Sequence, residues 1–156
     1  MHKLLLHPAS PGRVYQQNHN GTYASDDHGD SWRRIDRGLP TDFGFGLTLD
    51  PGNPDTCFVV PMEPQGGTFR ATPGSLRVFR FGGKAGRWKA LGKGLPSSGA
   101  YLSILREGMA SDGLKRCGLY VGTGGGHLFH SSDAGRGWKE IVSFLPPILS
   151  VTATVV

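Results

Sequence analysis

The chain has 156 residues, 25 of them Gly and 11 Pro, a hydrophobic fraction of 37% and a formal net charge of +5. That length allows one domain with a real core, and no stretch approaches the ~20 apolar residues of a membrane-spanning helix. The apolar run Leu4-Leu5-Leu6 ends at His7-Pro8, too short for a signal peptide.

The first unit opens with a short apolar strand, Lys3-Leu4-Leu5-Leu6. A turn follows at His7-Pro8-Ala9-Ser10-Pro11-Gly12, then a second strand at Arg13–Gln16. Asn18-His19-Asn20-Gly21 carries an Asn-Gly pair, a strong hairpin signal. Thr22–Ser25 is a third strand and Trp32–Ile35 a fourth. The second unit repeats the order. Phe45–Leu49 leads into Asp50-Pro51-Gly52-Asn53-Pro54, which matches the first unit's turn proline for proline. Cys57–Val60, Leu76–Arg80 and Trp88–Leu91 complete it, with a long segment, 61–75, in place of the short turn. The third unit runs through Tyr101–Leu105, Leu119–Gly122, Leu128–Ser131 and Trp138–Ile141. Leu149–Val156 reads as one more strand. Regular Gly and Pro punctuation of short apolar runs is the mark of a β-rich fold.

Three tryptophans keep these units in register. Trp32, Trp88 and Trp138 each precede a Leu-Pro pair by seven residues, at Leu39-Pro40, Leu95-Pro96 and Leu145-Pro146. Ahead of two of them lies the same turn, Ser25-Asp26-Asp27-His28-Gly29-Asp30-Ser31-Trp32 and Ser131-Ser132-Asp133-Ala134-Gly135-Arg136-Gly137-Trp138. A repeat of about 50 residues holding four short antiparallel strands is the signature of propeller blades. The expectation is an all-β fold of three four-stranded blades, approximately 2–37, 45–93 and 101–143, with a closing strand at 148–156.

The turn is explicable residue by residue. Asp27 and Asp133 accept from the turn's own N–H groups. Gly29 and Gly135 supply positive φ, Ser25 and Ser131 tie the hairpin to itself, Ser31 and Gly137 sit just before the ring, and Trp32 and Trp138 bury that ring between blades. The functional alternative, Ca²⁺ or acid/base chemistry, is the lesser reading, because Ca²⁺ wants six to eight oxygens. The middle unit, Phe81-Gly82-Gly83-Lys84-Ala85-Gly86-Arg87-Trp88, keeps only the Trp. No metal and no cofactor is expected. Cys57 and Cys117 fit no metal spacing and read as buried or half-buried thiols more than as a disulfide.

On these residues the chain resembles the Asp-box, or BNR-repeat, β-propellers: the sialidase superfamily and the xyloglucanase-like glycoside hydrolases. Asp50-Pro51-x-x-Pro54, then Phe58, then Ser-x-Asp-x-Gly-x-x-Trp and Gly-Leu-Pro are especially like the xyloglucanase-type repeat. The resemblance implies the fold and carries over no catalytic residue. The three arginines, the Tyr-Glu pair and the Asp of sialidases do not map here, nor do the two aspartates of xyloglucanases.

The resemblance places binding on the end of the blades opposite the Asp turns. The loops there carry Asn18, His19, Asn20, Asp42, Phe43, Glu63, Arg70 and His127, with Tyr101 beside them. Asp42 and Glu63 are the weak candidates for a glycosidic carboxylate pair. Arg70 suits a carboxylate, His19 and His127 a hydroxyl, and Phe43 or Tyr101 a sugar ring. Each also has a plain reading as a loop residue. The basic residues (Arg33, Arg34, Arg37, Lys84, Arg87, Lys89, Lys93, Arg136, Lys139) recur around each fourth strand, as charge protecting an edge strand does. No nucleic-acid or membrane partner is expected. The partners expected are a glycan or another protein. Three blades fall short of the about four to eight of a closed ring. The remaining blades are expected from a longer version of this chain, a second copy or another polypeptide. Function divides between a non-catalytic binding or assembly scaffold and part of a glycoside hydrolase. Cytoplasm is the default location, left open because a truncated N-terminus removes any leader.

Overall fold

The computed structural model describes residues 1–66, 68–83 and 86–155. The first blade is β1 (Lys3–His7), β2 (Ser10–Asn18), β3 (Gly21–Ser25) and β4 (Arg33–Arg34), in that spatial order. In the second blade β5 (Gly44–Leu49), β6 (Cys57–Pro61), β9 (Val78–Gly82) and β10 (Arg87–Leu91) lie side by side. A small hairpin, β7 (Glu63–Pro64) with β8 (Arg70–Ala71), interrupts it inside the long 61–75 segment. The third blade is β11 (Met109–Ser111), β12 (Leu119–Gly122), β13 (Leu128–Ser131) and β14 (Lys139–Val142). All pairings within these sheets are antiparallel. These are three four-stranded blades of a β-propeller.

The core lies in the seams between blades, which is why the inner strands are apolar on both faces. In β6, Cys57 and Val59 face the first blade while Phe58 and Val60 face the third. The first seam packs Tyr15, Ala24 and Ile35 against Leu47, Leu49, Cys57, Val59 and Phe81. The second packs Phe58, Val60, Leu76, Val78, Leu91 and Leu95 against Met109, Cys117, Leu119, Val121, Phe129 and Trp138. Cys57 and Cys117 are free thiols in different seams. Burial drives both thiol pKa values up, that of Cys117 to about 12.

Four expectations need correction. Tyr101–Leu105 is not the third blade's first strand; β11 takes that place. The 101–105 segment threads between blades, giving the Leu102 carbonyl to Thr72 and the Ser103 carbonyl to Gly124, with Ile104 wholly buried. The second blade's third strand starts two residues later than expected, at Val78, because the Leu76 N–H is taken by the Pro96 carbonyl. The closing strand 148–156 does not form; Ser150 makes one parallel bridge to Glu107, beside the start of β11, and Val156 is outside the described residues. Trp32 is not buried between blades. It is 37% exposed where Trp138 is 5% exposed, because each Trp packs towards the blade before its own. Trp88 donates its indole N–H to Ile35 of the first blade, and the Trp138 backbone N–H bonds Lys93 of the second. No described blade precedes Trp32.

Candidate functional site

The two aspartate turns are nearly superposable in their bonding. Ser25 Oγ donates to Asp27 Oδ1 (2.7 Å), and Gly29 N–H donates to Ser25 Oγ (2.8 Å). Asp27 also accepts from Ser31, through the backbone N–H at 2.9 Å and the hydroxyl at 2.6 Å. In the third blade Ser131 Oγ donates to Asp133 Oδ1 (2.8 Å), Gly135 N–H to Ser131 Oγ (2.9 Å) and Gly137 N–H to Asp133 Oδ1 (2.9 Å). Gly29 and Gly135 hold φ of 100° and 86°. The intervening turn of the second blade includes Lys84 and Ala85, which lie outside the described residues.

These bonds set the charge state of the two carboxylates. The Ser31 hydroxyl and N–H, then the Ser25 hydroxyl, hold Asp27 down to about 2. The Gly137 N–H, then the Ser131 hydroxyl, lower Asp133. A depressed carboxylate adds stability that is full above its unfolded value and is lost as pH falls towards the folded one. The melting temperature of the wild type is therefore expected to fall as pH is lowered from about 4 to about 2. An Asp27→Asn/Asp133→Asn double variant loses less of its melting temperature over that window, and equal losses contradict the assignment. Both groups stay ionised at neutral pH, so neither serves as a proton donor there.

At the opposite end of the blades, a ring cluster joins the first two blades near their innermost strands. His2 and His19 sit 4.3 Å apart, His2 and Phe45 4.6 Å, Phe43 and Phe45 5.0 Å, and His19 and Phe43 5.3 Å. The Arg70 guanidinium lies 5.1 Å from the centre of the Phe43 ring and that of Arg106 4.9 Å from the Phe45 ring. The buried His2 bonds the Gly44 carbonyl through Nδ1 at 2.8 Å, while its Nε2 is buried without a partner. Burial first, then the neighbouring His19 and Arg106, lowers its pKa against the Gly44 bond. The imidazole is thereby favoured neutral, with Nδ1 donating and Nε2 a bare acceptor.

The expected site residues divide. His19, Phe43 and Arg70 come together in this cluster. Asn18 and Asn20 form their own turn, the Asn18 side chain accepting the Asn20 N–H at 2.7 Å. Asp42 points to Arg34, 3.4 Å away. Glu63 starts β7 opposite Ala71. The Met62 N–H bond to the Phe43 carbonyl carries the β5–β6 pairing one step past Gly44 and Pro61, so Asp42 and Glu63 stand on facing segments. Tyr101 is exposed beside Gly74, and His127 is bound by Glu140 at 2.7 Å. Among the described residues no three His, Cys, Asp or Glu side chains group as a metal site. His2, Phe45 and Arg106 were not singled out from sequence. The Phe43-x-Phe45 spacing, two rings on one face of a strand, was the available signal.

No family model matches the chain, and no curated protein does. Solved propellers do. A GH74 enzyme from Niastella koreensis matches with a TM-score of 0.58 at 19% identity, over 90% of this chain and 22% of that one. The GH74 xyloglucanase of Xanthomonas campestris matches at 0.60 and 18%, over 89% and 21%. An ancestral GH74 enzyme matches at 0.59 and 16%, over 90% and 19%. At such identities the likeness is one of fold. The chain spans about a fifth of the length of these structures.

Proposed function

We propose that this chain is a non-catalytic Asp-box (BNR-repeat) propeller segment that works as an assembly and binding scaffold, its two outer blade faces seating further blades. The observation that carries this reading is a match of positions. Ile35 and Leu91, three residues after their tryptophans, are buried in the first and second seams; Ile141, at the same place in the third blade, is 54% exposed. Leu95 is buried and Leu39 packs on the first seam, whereas Leu145 is exposed. On the first blade Leu4, Leu6 and Trp32 are exposed where the second blade buries Leu47 and Leu49 and half-buries Trp88. The two free faces are thus the two halves of one more seam. Large exposed apolar patches of this kind mark interaction surfaces. The further blades come from a longer version of this chain, a second copy or another propeller segment, and a glycan is the ligand the fold neighbours suggest.

Light scattering of the chain in solution is the test. Self-association is expected, and Trp32→Asp and Ile141→Asp each reduce it. A monodisperse, cooperatively melting monomer that neither substitution affects overturns the reading.

One observation favours a second reading, a glycoside-hydrolase segment: Asp42 and Glu63 stand on facing segments. Xyloglucan is the substrate suggested by the likeness to the Xanthomonas xyloglucanase. On the scaffold reading the chain releases no reducing ends from xyloglucan. Release that Asp42→Asn or Glu63→Gln abolishes makes it an enzyme.

A further inference from the structure

We infer that the groove along the outer rim of the first seam binds a strand of acidic polysaccharide, its carboxylate or sulfate groups held by Arg33, Arg37 and Arg87. The groove has a volume of about 590 Å³ and is lined by Arg33, Arg34, Arg37 and Arg87 with Phe81 and Trp88. It runs on into a second cavity of about 530 Å³ that shares Arg33 and Phe81 and reaches Arg13. Four arginine residues therefore line one groove of a chain whose net charge is +5, with Arg34 turned to Asp36 and Asp42 and the other three left to face a ligand.

Neighbouring carboxylates account fully for one of the four. Arg34 is satisfied, 2.7 Å from Asp36 and 3.4 Å from Asp42. Among the described residues Arg33 pairs with Asp26 alone, at 3.8 Å. Arg37 and Arg87 have no side-chain hydrogen bond or ion pair among the described residues. Like charges gathered this way repel unless an anion joins them.

The second seam is an internal control. Lys93-Gly94 stands there where the first seam has Arg37-Gly38, and Gly137-Trp138 where it has Arg87-Trp88. That seam has its own rim groove, of about 500 Å³, lined by Lys93, Lys139 and Asp133, and it buries its Trp more fully. A seam is built without guanidiniums at these positions, so packing does not explain Arg37 and Arg87. The planar guanidinium fork matches carboxylate and sulfate.

A sugar chain fits better than a nucleic acid. Single-stranded nucleic acid is held by free aromatic faces. Here the one indole has its N–H on Ile35 and its ring 5.1 Å from Phe81. A concave slot also cannot enter a duplex groove.

The site lies on a seam within the chain and is independent of what covers the outer faces. The test is calorimetric titration of the full chain with heparin oligosaccharides, polygalacturonate oligomers and single-stranded oligothymidylate, at about 50 and about 200 mM salt. Binding of one or both polysaccharides is expected, and which of them binds separates sulfate from carboxylate. Arg37→Ala/Arg87→Ala is expected to weaken it about tenfold or more and to flatten its salt dependence. Lys93→Ala/Lys139→Ala removes the same charge at the second seam and is expected to weaken it less than about twofold. Equal weakening by both variants means net charge alone and overturns the site. So does the absence of polysaccharide binding, and so does tighter binding of oligothymidylate lost in the arginine variant, which makes the groove a nucleic-acid site.

Discussion

Trp138→Ala is expected to destabilise the chain by ~3–5 kcal/mol, the range for a large buried aromatic, and Trp32→Ala by about 1–2 kcal/mol, since much of its ring is already in water. The rings occupy the same repeat position, so the difference is one of cover, not of chemistry. Trp138 sits in the second-seam core with Leu91 and Leu95, its indole N–H on the Gly135 carbonyl at 3.0 Å. Trp32 lies over its own Gly29 and has no blade before it among the described residues. Urea unfolding midpoints measure both costs. A Trp32→Ala loss as large as that of Trp138→Ala, appearing only where the chain has associated, is the energetic counterpart of the proposed assembly. If the Trp32 cost does not depend on protein concentration, that face is not an interface.

The fold was legible because one signal recurs. The seven-residue step from Trp to Leu-Pro and the Ser-x-Asp-x-Gly turns fix where each outer hairpin closes. Turns of this kind are local, so sequence carries them. The inner strand of the third blade was misplaced because Tyr101–Leu105 has the apolar pattern of a strand without being one. It earns its burial by threading between blades, a tertiary role that mimics periodicity. A better guide was present. Gly46-Leu47-Thr48-Leu49-Asp50 and Gly108-Met109-Ala110-Ser111-Asp112 share their first and last residues. Both aspartates open the same turn, Asp50 accepting from Gly52 and Asp112 from Leu114.

The candidate site was less legible. Loop membership followed from topology and brought His19, Phe43 and Arg70 to one end of the blades. Which of the loop residues touch depends on where neighbouring blades meet, and that is set by packing across the seam. His2 precedes the first strand and Arg106 precedes β11, so only the juxtaposition of three inner strands brings them to Phe45. The arginines of the rim groove were visible in sequence as edge charges. That they line one groove, beside a seam with fewer charges, was not.

The residue just before each Leu-Pro pair gives the sharpest test of the seams. It is Gly38, Gly94 and Phe144 in the three blades, and all three hold positive φ, 103°, 89° and 60°. A Cβ on Gly94 would lie 2.2 Å from the Trp138 carbonyl oxygen, a backbone atom that cannot step aside alone. One on Gly38 would meet nothing within 4 Å. Gly94→Ala is therefore expected to cost upwards of about 3 kcal/mol and Gly38→Ala only the left-handed penalty of about 1–2 kcal/mol. Phe144→Gly runs the other way, stabilising by about 1 kcal/mol as that penalty is relieved, because the Phe144 ring is 92% exposed and little packing is lost. Chemical denaturation of the three variants measures the order. The Phe144 position also limits how another blade seats on the third. A backbone approach like that of Trp138 to Gly94 is closed to it, whereas the open spacing of the first seam at Gly38 leaves room for a side chain. A blade docked there is thus expected to follow the first seam's geometry, and in the assembled form Phe144→Gly loses its stabilising effect as the ring becomes part of the interface.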